Sequence, residues 1–242
     1  VAVNVSDVEA MGAEPSAVVI GLAFPRNLDR RWVSDFQEGV VEECARAGVS
    51  LVGGDLSSSA HIALGVTALG NLSGRPAVTR AGARAGDQVA VCGRLGCSAG
   101  GLLVLQRGFG SPKDLVLEQQ CPTVPYGQGK VAAEAGATAM IDVSDGLLQD
   151  LGHICELSGV GIDVRTGALK IHDSLARLAA ATGKDPLGFV LAGGEDHALA
   201  ATFPAEVELP QGWLRIGTVT AGAEVIVDGM PWTGSVGWDH FA

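Results

Sequence analysis

Aromatic side chains are scarce in this chain. One tyrosine, four tryptophans and six phenylalanines make up 5% of its 242 residues. A core with so few rings must close through aliphatic side chains and near backbone approach, and 35 glycines suit a loop-rich α/β fold. Positive charge is short as well: 16 Lys and Arg face 27 Asp and Glu, a net charge of −11. That excludes nucleic acid or an anionic membrane surface as the main partner, since each calls for a basic face. It does not exclude phosphate ligands, because a bound divalent cation reverses the sign of its site. No apolar run approaches the roughly 18 residues of a membrane-spanning helix, and no secretory leader is evident. The five cysteines (Cys44, Cys92, Cys97, Cys121 and Cys155) form no CxxC pair. They read as reduced thiols, and the chain as a soluble cytoplasmic protein.

Catalytic signatures are missing too. There is no Gly-x-Ser-x-Gly elbow, which argues against a serine hydrolase. His61, His172 and His197 show no metal spacing with cysteine or with one another, and His153 reads as a packing or capping residue. The glycine-rich stretch from Gly93 to Gly101 lacks the Lys-Ser/Thr ending of a P-loop and does not match the dinucleotide fingerprint. It reads as a close-packed turn.

What the chain does have is a set of short acidic motifs. Gly53-Gly54-Asp55, Ile141-Asp142-Val143-Ser144-Asp145-Gly146 and Gly193-Gly194-Glu195-Asp196 each follow an apolar run with strand character. Carboxylates beside glycine at strand ends sit where backbone can approach a ligand closely. Several of them in one cleft would repel one another without a cation, and hard Mg²⁺ prefers such oxygen ligands. Each motif also has a plainer reading: Ser144 or Asp145 as the cap of the helix starting near Gly146, Asp55 as a solvated turn residue, and Asp7 as a first-turn helix acid. A cap would explain one polar residue of the three at 142–145, and helix N-termini also favour phosphate. Arg80, just before Ala81-Gly82, is a candidate phosphate clamp. Val3-Asn4-Val5-Ser6-Asp7 echoes Ile141-Asp142-Val143-Ser144-Asp145, but five residues are too few to establish a duplication.

Periodicity predicts alternating helices and strands, an α/β (α+β) pattern. Residues 1–12 fit either a strand or one face of a helix. A strand is expected over 16–24, then a helix with Ser34 as N-cap, Gln37 three residues on and Gly48 as C-cap. Further strands are expected over 49–52, 61–69, 88–92, 138–141, 161–165, 189–192, 198–203, 214–219 and 224–227. Helices are expected over 98–107, 131–135, 147–157 and 173–181, with a loop-rich excursion between 108 and 125. The polar stretch 75–86 breaks the periodicity, which places a domain boundary there, with residues 1–80 and 81–242 on its two sides.

In this order the motifs resemble those of the thiamine-monophosphate kinases, within the aminoimidazole-ribonucleotide (AIR) synthetase-like superfamily. The likeness runs from Val3-Asn4-Val5-Ser6-Asp7 with Ala10-Met11-Gly12-Ala13, through Gly53-Gly54-Asp55, Thr79-Arg80-Ala81-Gly82-Ala83 with Gly86-Asp87, residues 141–151 and Gly193-Gly194-Glu195-Asp196, to Gly237-Trp238-Asp239-His240-Phe241. It implies a two-domain AIR-synthetase-like fold of mixed sheets with flanking helices, with residues 1–12 helical. It implies transfer of the ATP γ-phosphoryl group to thiamine monophosphate, giving thiamine diphosphate. Asp7, Asp55, Asp142 and Asp145 would hold Mg²⁺, and Asp142 and Asp145 would be the catalytic carboxylates. Gly54, Asp55, Arg80 and Ser144 would bind ATP, and Glu195 and Trp238 the substrate, the indole face suiting a cationic ring. A homodimer sharing a sheet interface in the N-terminal half is implied as well. The family's upstream Gly-Asp-Asp and Val-Glu-Gly-x-His-Phe motifs are not in this chain, which begins mid-pattern without methionine, so residues are expected upstream of Val1. The family's usual Tyr-Glu-Leu after Gly-Gly-Glu-Asp reads His197-Ala198-Leu199 here. Two other readings stay open: a different ATP-using synthetase of the superfamily, and a non-catalytic nucleotide-binding or dimerisation module.

Overall fold

A computed structural model describes residues 1–238, so the Asp239-His240-Phe241 motif lies outside the described residues. The chain opens with helix α1 (Ala2–Glu9), as the resemblance implied for residues 1–12. Strand β1 (Glu14–Phe24) follows, then helix α2 (Arg30–Ala47) and strands β2 (Ser50–Ser58) and β3 (Ala63–Asn71). They form a three-stranded sheet of order β2-β1-β3, with β1 parallel to β2 and antiparallel to β3. Along β1 the residues Val18, Ile20 and Leu22 are buried and their alternates are not, the period-2 pattern of a strand with one covered face. The cover is α2, through Val40 and Cys44, together with Val5 of α1.

Two expectations about this region need correcting. Helix α2 starts four residues before Ser34: its N-cap is Asp29, whose carboxylate accepts the Arg31 amide at 2.9 Å. The Ser34/Gln37 pair imitates a capping box but lies inside the helix, where Trp32 and Phe36, one turn apart, stack at 5.4 Å. Gly48 does close the helix, in the left-handed conformation. The second correction concerns Gly53-Gly54-Asp55, which sits in the middle of β2 and not past its end. Glycine at 54 serves strand pairing: a Cβ there would drive into the Ile20 carbonyl oxygen beside the bulge in the β1–β2 register.

The remainder builds a seven-stranded sheet. In chain order its elements are β4 (Gln88–Cys92), α3 (Cys97–Gln106), α4 (Lys113–Gln120), α5 (Gln128–Glu134), β5 (Ala139–Asp142), α6 (Leu147–Ser158), β6 (Gly161–Val164), α7 (Asp173–Thr182), α8 (Pro186–Ala192), β7 (Leu199–Phe203), β8 (Leu214–Thr220), β9 (Val225–Val227) and β10 (Met230–Pro231). The strand order is β10-β9-β6-β8-β4-β7-β5. Both faces are covered, so the central strands read as unbroken apolar runs. Val89 and Val91 of β4 join Leu147, Leu151, Ile154 and Leu191 on one side. Ala90 and Cys92 join Met140, Leu199, Phe203 and Trp213 on the other. Residues 189–192, expected as a strand, are the end of α8. Asp185 caps that helix by accepting the Leu187 amide at 3.0 Å and Pro186 opens it, so the short apolar run is helical and its Val190 and Leu191 are fully buried. Among the described residues no helix is long and apolar enough to cross a membrane.

Buried carboxylates hold the loops of this framework. Glu9 accepts the amides of Gly127 at 2.7 Å and Gly129 at 2.8 Å, at the start of α5. Asp196 accepts those of Gly96 and, at 2.9 Å, Ser98, at the start of α3. One oxygen of Asp150 collects three amides, from Ser144 at 3.0 Å and from Asp145 and Gly146 at 3.1 Å each. Burial pushes the Asp150 carboxyl from 3.8 up to about 7, against the pull of the Gly146 and Asp145 amides and with the Asp145 and Asp142 charges adding to the rise.

Two stability predictions follow from these packings. Gly54→Ala should cost about 1–3 kcal/mol, the usual scale of overpacking. Gly39→Ala, in the exposed interior of α2 with open space around it, should gain about 0.5–1 kcal/mol. Urea unfolding of both variants checks the contrast, and equal effects would refute it. For Asp150 the folded pKa lies above the unfolded one. Between about pH 4 and 7 the folded state therefore keeps a proton the unfolded chain has released, and this group's contribution to stability falls as pH rises. The unfolding free energy of wild type minus that of Asp150→Asn should shrink from about pH 4.5 to about pH 7.5. A pH-independent difference would refute the assignment.

Candidate active site

A cleft of about 430 Å³ opens where α1 meets the C-terminal end of β5. Its walls include Asp7 and Met11, then Thr79 and Arg80, then Asp142, Ser144, Asp145, Asp150 and His153. Five of the residues singled out from sequence thus meet in one place: Asp7, Arg80, Asp142, Ser144 and Asp145. The two echoing pentapeptides meet here as well, but one is helical and the other a strand end with its loop, so the likeness is not a structural repeat. The cap reading of Ser144 and Asp145 is not realised. Gly146 is the N-cap of α6, and the loop amides go to Asp150.

Asp142 is buried (8% exposed) at the last position of β5. Its Oδ2 lies 3.0 Å from both the Ser6 hydroxyl and His197 Nδ1. Asp7 is pushed above the usual carboxylate range, first by burial, then by the charge of Asp142, with His197 pulling the other way. Burial alone would depress the His197 imidazole. The hydrogen bond to Asp142 and the Asp142 and Glu195 charges outweigh burial, and the net shift is upward. Arg80 reaches the cleft from a turn tied to the end of α6: Ser158 Oγ donates to the Arg80 carbonyl at 3.0 Å and accepts the amides of Gly82 and Ala83.

Glu195 and Trp238 dock beside the same loop through backbone. The Glu195 amide donates to the Ser144 carbonyl at 2.7 Å and the His197 amide to that of Val143 at 2.8 Å. The Trp238 amide donates to the Asp145 carbonyl at 2.8 Å, and Gln149 Nε2 holds the Trp238 carbonyl at the same distance. Gly194 lies against this loop so closely that a Cβ would press on the Ser144 carbonyl oxygen. Gly54 and Asp55 are elsewhere. Both border a depression beside α2, but the register turns the Asp55 side chain to the other face of the sheet with Gly21 and Gly65, where its carboxylate accepts the Ser57 hydroxyl at 2.6 Å. They belong to the edge strand on the far side of β1 from β3, whereas α1 packs on β1 and β3.

The donors suit a hard cation. Asp7, Asp142 and Asp145 offer carboxylate oxygens, and ligand atoms of Asp145, Asp150 and His153 lie within 4.8 Å of one another. Burial first, and the Asp142 charge second, raise Asp7, and a nearby cation would offset both. Sequence reasoning passed over Asp150, Ser6 and His197. The first looks like an ordinary first-turn acid of α6, and the other two gain partners only from distant segments.

Comparison with known proteins identifies the family. The AIR synthase related protein N-terminal domain family matches residues 1–72, and the corresponding C-terminal domain family matches residues 84–229. A thiamine-monophosphate kinase of Mycobacterium tuberculosis is 47% identical over 243 residues, covering 100% of this chain and 72% of that protein. One from Aquifex aeolicus is 36% identical over 246 residues, covering 100% and 79%. The solved structure of the Aquifex enzyme complexed with AMPPCP and TMP superposes with a TM-score of 0.89 at 35% identity, covering 99% of this chain and 78% of that one. The mixed α/β architecture matches that structure, and this chain belongs to the thiamine-monophosphate kinase family of enzymes.

Proposed function

We propose that this chain phosphorylates thiamine monophosphate to thiamine diphosphate with ATP, by direct in-line transfer. The observation that carries this is the gathering of Asp7, Asp142 and Asp145 in one cleft with Arg80, while Glu195 and Trp238 are bonded to the loop bearing Ser144 and Asp145. The Aquifex relative was solved with AMPPCP and TMP, which supports a site for a nucleotide beside a thiamine phosphate. Asp7, Asp142 and Asp145 would hold Mg²⁺, which when bound supplies the positive charge that lets two anionic phosphates approach. Arg80 would grip nucleotide phosphate from the rim, its guanidinium offering paired donors. The Ser144 hydroxyl, on a loop already locked by Asp150, would donate to a phosphate oxygen. Trp238, 64% exposed, would lay its indole on the cationic ring of the substrate, with Glu195 adding opposite charge. A phosphate nucleophile is already ionised, so the mechanism needs positioning and charge neutralisation and no strong general base.

The reading includes a homodimer, and the cytoplasm as its compartment, where the five free thiols stay reduced. The sheet face opposite α2 carries Val19 and Leu69, which are 36% and 48% exposed. The register places Gly21, Gly65 and Asp55 on the same face. A second copy covering this face would bring the Asp55 carboxylate, with Gly54 beside it, to the cleft of its partner.

Incubation with ATP, Mg²⁺ and thiamine monophosphate, followed by chromatography, should yield thiamine diphosphate, and EDTA or Asp142→Asn should abolish it. Near-normal turnover in that variant would overturn the metal assignment. Asp55→Asn should also be inactive, and mixing it with Asp142→Asn should restore part of the activity through hybrid dimers. No restoration would place Asp55 outside a shared site.

A further inference from the structure

His197 belongs neither to the acidic set nor to the substrate pair, yet its ring reaches both. It is 2% exposed. Nδ1 lies 3.0 Å from Asp142 Oδ2 and 3.1 Å from the Ser6 hydroxyl. A carboxylate can only accept, so the proton of this contact sits on Nδ1. Ser6 is itself 2.6 Å from the Val3 carbonyl. Oδ2 of Asp142 is thus occupied from the protein side, and the side chain still lines the cleft. On the far side of the ring, Nε2 is buried without a hydrogen-bond partner and faces Glu195 Oε2 at 3.6 Å, just beyond bonding length. With a carboxylate on each side, the arrangement suits an imidazolium, which carries a proton on both nitrogens. The backbone here is in the left-handed region (φ 50° at His197, 64° at Glu195). Such a conformation persists in a non-glycine residue where the surroundings impose it, here through the amide bonds to Val143 and Ser144.

We infer that His197 is a two-sided positioning residue: Nδ1 orients the Asp142 carboxylate for a divalent cation, and Nε2 steadies the Glu195 carboxylate against the substrate cation. The inference rests on the assignments of Asp142 and Glu195 made above. Covering Glu195, which is 63% exposed, with substrate would remove water from this pair and strengthen it.

Two near-isosteric substitutions separate the arms. In His197→Asn the side-chain amide stands where Nδ1 was, and asparagine tolerates the left-handed backbone. In His197→Gln the amide stands where Nε2 was. Calorimetric titration of the ligand-free protein with Mn²⁺ should show affinity falling about tenfold in His197→Gln and holding within about twofold in His197→Asn. Steady-state kinetics should show the reverse for thiamine monophosphate, with KM rising about fivefold in His197→Asn and little in His197→Gln. That rise should vanish when His197→Asn is made in a Glu195→Gln background, a double-mutant cycle that a merely structural role would not close. Melting curves establish that the variants are folded, and the cycle decides the matter for the Nε2 arm should the glutamine variant fail to fold. Equal losses in both variants, no loss in either, or an open cycle would overturn the inference. Asp142→Asn keeps the two failures apart: undiminished Mn²⁺ binding there would refute the metal reading itself, whereas loss there with none in His197→Gln refutes only the role of His197.

Discussion

Three backbone amides, those of Ser144, Asp145 and Gly146, converge on one oxygen of Asp150, and the cleft depends on that convergence. A loop leaving a strand end for a helix has unpaired N–H groups, and left free they would turn to water or to any anion that arrives. Here the first helical turn supplies the acceptor from within. The carbonyls of the same loop are then free to receive other segments: Val143 takes His197, Ser144 takes Glu195 and Asp145 takes Trp238. One locked loop therefore sets the position of three residues from two separate stretches of sequence. None of these docking bonds uses a side chain.

The acidic balance of the chain divides along the same line. Glu9, Asp150 and Asp196 are buried and spend their oxygens on amides at the starts of α5, α6 and α3. Such carboxylates complete a helix end that would otherwise bury unsatisfied donors. Asp7, Asp142 and Asp145 line the cleft, and Asp150 does both, holding amides while it walls the cleft. The net charge of −11 thus mixes framework acids with site acids, and composition alone cannot tell one from the other. Asp196 shows how close the two kinds can be: its neighbours Glu195 and His197 belong to the proposed site, while it anchors α3.

What was legible in the sequence follows from this. Asp142, Ser144 and Asp145 could be read because β5, the loop and α6 are contiguous, and one local pattern of apolar run, acids and glycine reports them all. Asp7 and Arg80 stood out less, since what makes them functional is the approach of α1 and the 79–83 turn to β5. Local patterns misled where two structures share one signature. Ser34-x-x-Gln37 imitates a cap inside α2, and the apolar run 189–192 fits a strand until Asp185-Pro186 is read as a helix start. Gly54 is instructive in another way: it reads as a strand-end residue, yet it lies inside β2, where close backbone approach serves pairing with β1. His197 and Ser6 were not legible at all. Their partner Asp142 lies 55 and 136 residues away, and neither spacing carries a local signal.

A cleft walled by four carboxylates and one arginine is a poor receptor for phosphate by itself. For a kinase this is a constraint with a use. If the protein supplied its own fixed positive charge, phosphates of many kinds would bind without a cation and compete with the substrates. With acids in place of bases, an anion gains a foothold only when divalent cations accompany it, so occupancy by nucleotide and by metal become coupled. The cationic ring of the proposed substrate needs the opposite environment, and the Trp238 indole and the Glu195 carboxylate, both docked on the same loop, would provide it on this reading. Selectivity on this reading comes from requiring two unlike partners at once: a phosphate that arrives with metal, and a cation that stacks.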